Sequence, residues 1–177
     1  RGREGPDELL RTFIGHLQTD GYTAYNNLKS GANIIQLACM AHARRKFEHA
    51  KDNDPVLASE ALLIFHRLYE IERDAKEQGL THHEIKLLRQ EKSAPILLEM
   101  ETWLKDKLNM VLPKSAIGQA IAYTLTLWPR LFRYIDQGRF NIDNNLIENS
   151  IRPVALGRKN YMFAGSHDAA QQAAIVY

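Results

Sequence analysis

Hydrophobic residues follow a strand-like pattern in the first forty positions of the chain. Residues 16–19 form a short extended run that ends at Asp20-Gly21, and residues 33–38 are β-branched and apolar like a buried strand. Residues 22–28 predict one or two helical turns between them, and residues 7–13 predict a short helix before them. This order predicts a βαβ unit with an acidic residue at the end of its first strand.

From His42 to Gly138 the hydrophobic period becomes helical. Asp54-Pro55 predicts the N-cap and first position of a helix that ends near Gly79, and residues 81–84 match a capping box that begins the next helix. Two long helices separated by a glycine suggest an antiparallel hairpin. Ser115 then begins a further helix, so the middle of the chain is predicted to be almost wholly helical.

Prolines predict the irregularities in these helices. Residues 93–95 mark a possible break, and Pro129 predicts a kink. A last short helix is expected to begin near Asp143 as N-cap, to include Glu148 and to stop before Pro153.

Composition excludes several classes of protein. The 177 residues are 45% hydrophobic, enough for one domain or one domain with an inserted subdomain, and the net charge of +2 means that any DNA-binding surface must be local. Cys39 is the single cysteine, which excludes an intramolecular disulfide and predicts a reducing compartment. There is no apolar run of membrane-spanning length and no apolar segment like that of a signal peptide, so the expectation is a soluble cytoplasmic protein. Because the chain opens on Arg1 rather than Met and ends at Tyr177 with no stop signal for a helix, we expect further residues upstream and downstream.

The first candidate for chemistry is the tetrapeptide Thr19-Asp20-Gly21-Tyr22. A carboxylate that leaves a strand end is typical of metal-binding acids at the carboxyl edge of α/β sheets. The alternative is a turn in which Asp-Gly is favoured for its backbone angles alone, and this tetrapeptide by itself favours the turn.

The second candidate is the polar string of residues 141–153. On a helix, Asn145, Glu148, Asn149 and Arg152 share one face, which combines an acid suited to metals with a base suited to phosphates. A solvated surface is an equally good interpretation of this face, although asparagines are poor helix formers.

Basic residues cluster at Arg44-Arg45-Lys46 and at Arg152 with Arg158-Lys159. Such residues bind DNA phosphates without sequence preference, although for any one of them a solvated surface position is the simpler interpretation. Tyr161 and Phe163 could stack on bases or form one face of a strand.

Cys39 and His42 have the spacing of half a zinc site, but the chain has no second cysteine pair. Cys39 is therefore predicted to be a buried apolar side chain and His42 a polar residue near the site.

Taken in order, several motifs resemble the insertion sequence 66 family of bacterial transposases. They are Leu17-Gln18-Thr19-Asp20-Gly21-Tyr22 with Tyr25; Cys39 with Ala41-His42-Ala43-Arg44-Arg45-Lys46-Phe47; Pro113-Lys114-Ser115; Ile142-Asp143-Asn144-Asn145 leading to Glu148; and Ile151-Arg152-Pro153-Val154-Ala155-Leu156-Gly157-Arg158-Lys159-Asn160 with Phe163-Ala164-Gly165-Ser166.

The resemblance implies an α/β, predominantly helical fold with an incomplete RNase H-like core whose first strands are missing. It implies a DDE-type enzyme in which three carboxylates hold two Mg²⁺ (or Mn²⁺) ions, with Asp20 as the second acid and Glu148 as the third. Residues 1–41 are expected to belong to the core, residues 42–138 to a helical insertion, and residues 139–177 to the return to the core.

The expected function is DNA strand cleavage and strand transfer during transposition. The expected partners are terminal inverted repeats, target DNA and further copies of the chain. Arg44, Arg45, Lys46, Asn145, Arg152, Arg158 and Lys159 are the expected DNA-binding residues. Without its first acid, the chain alone is expected to be inactive. The alternative is a noncatalytic helical module for DNA binding or oligomerisation, formed by the central hairpin and the Trp128 helix.

Overall fold

A computed structural model describes residues 4–25, 33–160, 166–169 and 171, with the backbone alone at residues 154 and 158–160. The chain divides into two compact units, Arg1–Asn144 and Asn145–Tyr177. The fold is α/β and predominantly helical, as the sequence predicts. The three-part division into core, insertion and return stays a prediction.

The first unit contains a two-stranded parallel sheet. Strands β1 (Gly15–Thr19) and β2 (Ile34–Ala38) pair in a register that runs from Gly15 opposite Ile34 to Thr19 opposite Ala38. Both predicted strands are confirmed, and their carboxyl ends lie side by side. A 3-10 turn at Thr23–Tyr25 agrees with the helical turns predicted after Asp20, whereas residues 26–28 lie outside the described part of the chain.

Helices make up the rest of the first unit. Helix α1 spans Glu4–Leu9, so the helix predicted over residues 7–13 is displaced toward the N-terminus. The later elements are α2 (Met40–His49), α3 (Pro55–Glu77), α4 (His82–Leu88), a π-helical turn (Arg89–Ser93), α5 (Ala94–Leu108), α6 (Ala116–Phe132) and a 3-10 turn (Arg133–Asp136).

Side-chain caps begin these helices where the sequence predicts them. Asp54 Oδ1 accepts the Leu57 N–H at 2.9 Å, and Ser115 Oγ accepts the Gly118 N–H at 3.1 Å. Thr81 and Glu84 form both halves of the capping box. The predicted break over residues 93–95 is wrong, because the π-helical turn carries the helical backbone from α4 directly into α5.

Helices α3 and α5 form the predicted antiparallel hairpin. Glu60 on α3 contacts Trp103 near the end of α5, whereas Arg67, farther along α3, pairs with Glu99 nearer the start of α5. The described core lies between this hairpin, α2, α6 and β2. Its large side chains include Phe47, Phe65, Leu68, Met100, Ile121 and Leu131.

The second unit contains helix α7, Asn145–Asn160. The expectation that this helix stops before Pro153 is wrong, because Pro153 lies inside it. Proline removes one backbone hydrogen bond and bends a helix, yet the following residues, such as Ala155 and Leu156, are good helix formers that continue it. The apolar side chains of α7 at Leu146, Ile147, Ile151 and Leu156 are exposed.

Candidate metal and DNA site

Asp20 directly follows β1 and begins a tight turn. Its Oδ1 atom accepts the Tyr22 N–H at 2.9 Å, while the Gly21 N–H donates to Thr19 Oγ1 at 3.4 Å. Gly21 has φ of +83°, a left-handed conformation that glycine adopts without strain. The turn interpretation of the tetrapeptide is confirmed, and the turn presents an exposed carboxylate at the carboxyl edge of the sheet. Metal binding by Asp20 stays a prediction.

Helix α6 contacts this turn through a residue that the sequence analysis did not single out. Tyr123 donates its hydroxyl proton to the backbone carbonyl of Asp20 at 2.8 Å. Burial raises the pKa of Tyr123, and the negative charge of Asp20 adds to the increase. Lys46 Nζ lies 5.2 Å from the centre of the Tyr123 ring, so one residue of the first basic cluster lies beside the turn of Asp20.

Residues 142–144, which lead into α7, are anchored at the same edge of the sheet. The Met40 N–H donates to the Ile142 carbonyl at 3.1 Å, and the Asn144 N–H donates to Cys39 Sγ at 3.5 Å. Tyr69 on α3 donates its hydroxyl proton to Asp143 Oδ2 at 2.8 Å. We call these three bonds the joint. It begins immediately beyond Ala38, which lies opposite Thr19.

The joint explains the environment of the single cysteine. Cys39 is 1% exposed, which confirms the prediction of a buried apolar side chain. Burial raises the pKa of its thiol, so the sulfur is protonated at neutral pH. Burial also raises the pKa of Tyr69, and the nearby Asp143 carboxylate raises it further. The helical period predicts Tyr69 as an apolar core position of α3 and does not include Tyr123 on α6, so no sequence pattern indicates the hydrogen bond of either hydroxyl.

Glu148 lies on α7 in the second unit and is half-buried. The helical spacing places Asn145, Asn149 and Arg152 on its face of the helix, and these three residues are exposed. Helix α7 begins at Asn145, one residue later than a cap at Asp143 predicts. The convergence of Asp20 and Glu148 on shared cations stays a prediction, as do the roles of both acids.

The predicted DNA-binding residues of the first cluster differ in their surroundings. Arg44 forms an exposed ion pair with Glu48 one turn later on α2, at 2.9 Å. Arg45 and Lys46 are also exposed on α2. In the second cluster the backbone of Arg158 and Lys159 belongs to α7, but their side chains, like Tyr161 and Phe163, lie outside the described part of the structure.

The donor chemistry of Asp20 suits a hard cation. A carboxylate has about four lone-pair positions, of which the Tyr22 N–H uses one. The side chains described here contain no group of three His, Cys, Asp or Glu residues that could hold a metal ion. The carboxylates of Asp20 and Glu148 are of the ligand type that magnesium prefers.

The fold and this turn define a helical α/β protein with an exposed acid at the carboxyl edge of a parallel sheet, beside a lysine. The chain belongs to the Transposase IS66 family, whose model matches residues 1–172. This match confirms the resemblance drawn from the sequence motifs.

The curated relatives come from Sinorhizobium fredii (strain NBRC 101917 / NGR234). "Uncharacterized protein y4jD" is 37% identical over 183 residues, and "Uncharacterized protein y4qI" is 39% identical over 175 residues. The matches cover 99% and 94% of this chain but 35% and 32% of the relatives, so the chain spans about a third of their length. No solved structure matches the chain significantly. Among the helices described, none is both long enough and apolar enough to cross a membrane.

Proposed function

We propose that the chain is part of the catalytic domain of a DDE-type transposase, which cleaves DNA at the ends of a mobile element and transfers the strands to a target. One observation carries this proposal. Asp20 leaves β1 at the carboxyl edge of the sheet, and the joint holds residues 142–144, which lead to Glu148, at that same edge.

Glu148 follows the joint closely along the chain. An α-helix rises about 1.5 Å per residue, so Glu148 follows Asn144 by about 6 Å along the axis of α7. Asn144 is itself bonded to Cys39, one residue beyond the strand pair that ends at Thr19 and Ala38. The chain path from the joint to Glu148 is therefore short, although more than one hundred residues separate Asp20 from Glu148 in sequence.

Asp20 and Glu148 would be the ligands of Mg²⁺ or Mn²⁺ that this chain supplies. Bound in pairs, such ions activate the attacking oxygen and stabilise the leaving oxygen of an in-line phosphoryl displacement. The complete RNase H-like core would supply the first acid from an upstream strand. The chain by itself is therefore proposed to be inactive, because too few carboxylates compensate for the loss of water from the cation.

Basic side chains would hold the DNA backbone. Lys46 is the best placed of the first cluster, since it lies against Tyr123 beside the turn of Asp20. Arg152 and Asn145 share the face of α7 that carries Glu148, so they would bind phosphates near the third acid. Arg44 is already paired with Glu48, and we expect it to contribute less. The DNA substrates are proposed to be the terminal inverted repeats and the target, bound by more than one copy of the protein.

The test is strand cleavage and strand transfer by the complete transposase on terminal-repeat DNA with Mg²⁺. We expect Asp20→Asn and Glu148→Gln each to lower both rates by several orders of magnitude while DNA binding is kept. Asp106→Asn, an exposed acid on α5, is the matched control and should be fully active. Full activity of Asp20→Asn would show that this carboxylate holds no essential cation.

A noncatalytic interaction module remains the second candidate because one observation favours it. The exposed apolar residues of α7 suit a protein contact. Trp128, in contrast, is 5% exposed and belongs to the core, so the Trp128 helix offers no such surface through that residue. If the complete protein binds terminal-repeat DNA but shows no metal-dependent cleavage, that result favours the noncatalytic module over the transposase.

A further inference from the structure

The turn that carries Asp20 is held from the helical region. Tyr123 lies in the middle of α6, more than one hundred residues from Asp20, and donates its hydroxyl proton to the Asp20 carbonyl at 2.8 Å. Among the bonds described here, this one ties a helix of the predicted insertion directly to the residue proposed as a metal ligand.

Helix α6 also fits the next residue of the turn closely. A Cβ atom added to Gly21 would lie 2.7 Å from Leu127 Cδ1 and 2.9 Å from the Tyr123 hydroxyl oxygen. Tyr123 and Leu127 are one helical turn apart, so both approach the turn from the same side of α6. The Lys46 ammonium lies over the ring of Tyr123 and further fixes the position of that side chain.

We propose that Tyr123 is a positioning residue that fixes the Asp20 carboxylate for cation binding; this inference rests on the proposed function. The hydroxyl bonds to the backbone carbonyl, and the Tyr22 N–H bonds to Oδ1. These two bonds restrict rotation of Asp20 at both ends while leaving further lone pairs of the carboxylate for a cation. The helical region of residues 42–138 thus contributes to catalysis, because its helix α6 positions the Asp20 carboxylate.

Magnesium binding reports this role because Mg²⁺ requires nearly ideal ligand geometry. In the complete transposase, Tyr123→Phe removes the hydroxyl and keeps the ring against Lys46. We expect the dissociation constant of Mn²⁺, measured by electron paramagnetic resonance without substrate DNA, and the Mg²⁺ concentration for half-maximal strand cleavage each to rise about fivefold, the effect of losing one hydrogen bond. Affinity for terminal-repeat DNA should stay unchanged.

Thr126→Val is the matched control. Thr126 lies three residues later on α6, is exposed, and donates its hydroxyl proton to the Ala122 carbonyl of the same helix. This variant also removes one hydroxyl from α6 without touching the turn, so its Mg²⁺ dependence should equal that of the unmodified protein. Thermal melting of both variants verifies that they fold.

Three outcomes decide the question. An unchanged Mg²⁺ dependence of Tyr123→Phe, with Asp20→Asn inactive, overturns the positioning role and leaves the proposed function standing. An active Asp20→Asn variant overturns the proposed function itself. A Tyr123→Phe variant that no longer folds assigns the hydroxyl to stability rather than to positioning, and that result also overturns the inference.

Discussion

Gly21 shows how one residue can be required for two separate reasons. Its φ of +83° disfavours any residue with a side chain, and Leu127 and Tyr123 occupy the space where a Cβ atom would lie. The sequence could indicate the first reason, because Asp-Gly is typical of turns. Only the packing of α6 against the turn supplies the second.

Gly21→Ala should therefore destabilise the protein more than a backbone penalty alone. We expect a loss of about 3 kcal/mol in the free energy of unfolding, measured by urea denaturation, since the left-handed backbone costs about 1–2 kcal/mol and the overlap adds to it. Gly79→Ala is the control. Gly79 has φ of +63° with nothing within 4 Å of its added Cβ atom, so about 1 kcal/mol is expected. Equal losses of unfolding free energy in the two variants would contradict the close packing of α6 against the turn at Gly21.

The raised pKa of Tyr69 predicts how the stability of the protein changes at alkaline pH. Burial, and then the Asp143 carboxylate, raise the pKa of its hydroxyl above the ordinary value of 10.0. The folded state therefore holds this proton more tightly than the unfolded chain, so the stabilisation is complete below pH 10 and is lost as pH rises further.

Tyr69→Phe removes this titration together with the bond to Asp143. We expect the variant to be less stable by about 1.5 kcal/mol at neutral pH, as for a hydrogen bond to a charged group. The difference in the free energy of unfolding between the unmodified protein and the variant, measured by urea denaturation, should then narrow above about pH 10. If this difference stays constant from neutral pH to above about pH 10, Tyr69 has the same pKa in the folded protein as in the unfolded chain.

At the scale of elements, the buried side chain of Arg89 connects the helical hairpin to the end of the 3-10 turn that follows α6. Arg89 in the π-helical turn bonds to Glu72 on α3, at 2.6 Å for its shortest contact, and its side chain is 3% exposed. The same guanidinium donates to the carbonyls of Tyr134 and Gln137. This residue thus fixes the segment through which the chain returns toward the joint.

Arg89→Ala should lower the free energy of unfolding by about 3–5 kcal/mol, because it leaves the largely buried carboxylate of Glu72 without its partner. Arg67→Ala breaks the pair with Glu99, whose side chains are 42% and 56% exposed, and should cost less than about 1 kcal/mol. Chemical denaturation of the two variants measures the difference. Similar losses would show that Arg89 contributes no more than a surface ion pair.

Local chemistry predicted most of the element boundaries in this chain. Asp54, Thr81 and Ser115 cap the helices that follow them because a side-chain oxygen satisfies backbone N–H groups only a few residues away. Proline was the less reliable signal. Pro153 lies inside α7, and Pro95 follows the π-helical turn within a continuous helical backbone, so neither proline ends a helix.

At the scale of the whole molecule, the small net charge makes the position of basic residues more important than their number. Lys46 lies beside the Asp20 turn, whereas Arg44 is neutralised by Glu48. The chain should bind DNA without sequence preference and release it as salt rises.

We expect Lys46→Ala to lower the slope of log affinity against log salt concentration by about one, since one phosphate contact is lost. Arg44→Ala should change the slope by less. Fluorescence anisotropy with duplex DNA at several salt concentrations measures both. Binding that does not vary with salt would contradict a phosphate-binding surface.

The sequence by itself determined the family, the two strands, the helical middle and the candidate acids, because caps, turns, hydrophobic periods and motif order act within short stretches of chain. Only the tertiary structure decided that Tyr123 holds the turn of Asp20, that Lys46 rather than Arg44 lies beside it, and that Cys39, Met40 and Tyr69 anchor the joint. Each of these contacts joins residues remote in sequence. They depend on how the helices pack against the sheet, which no local pattern encodes.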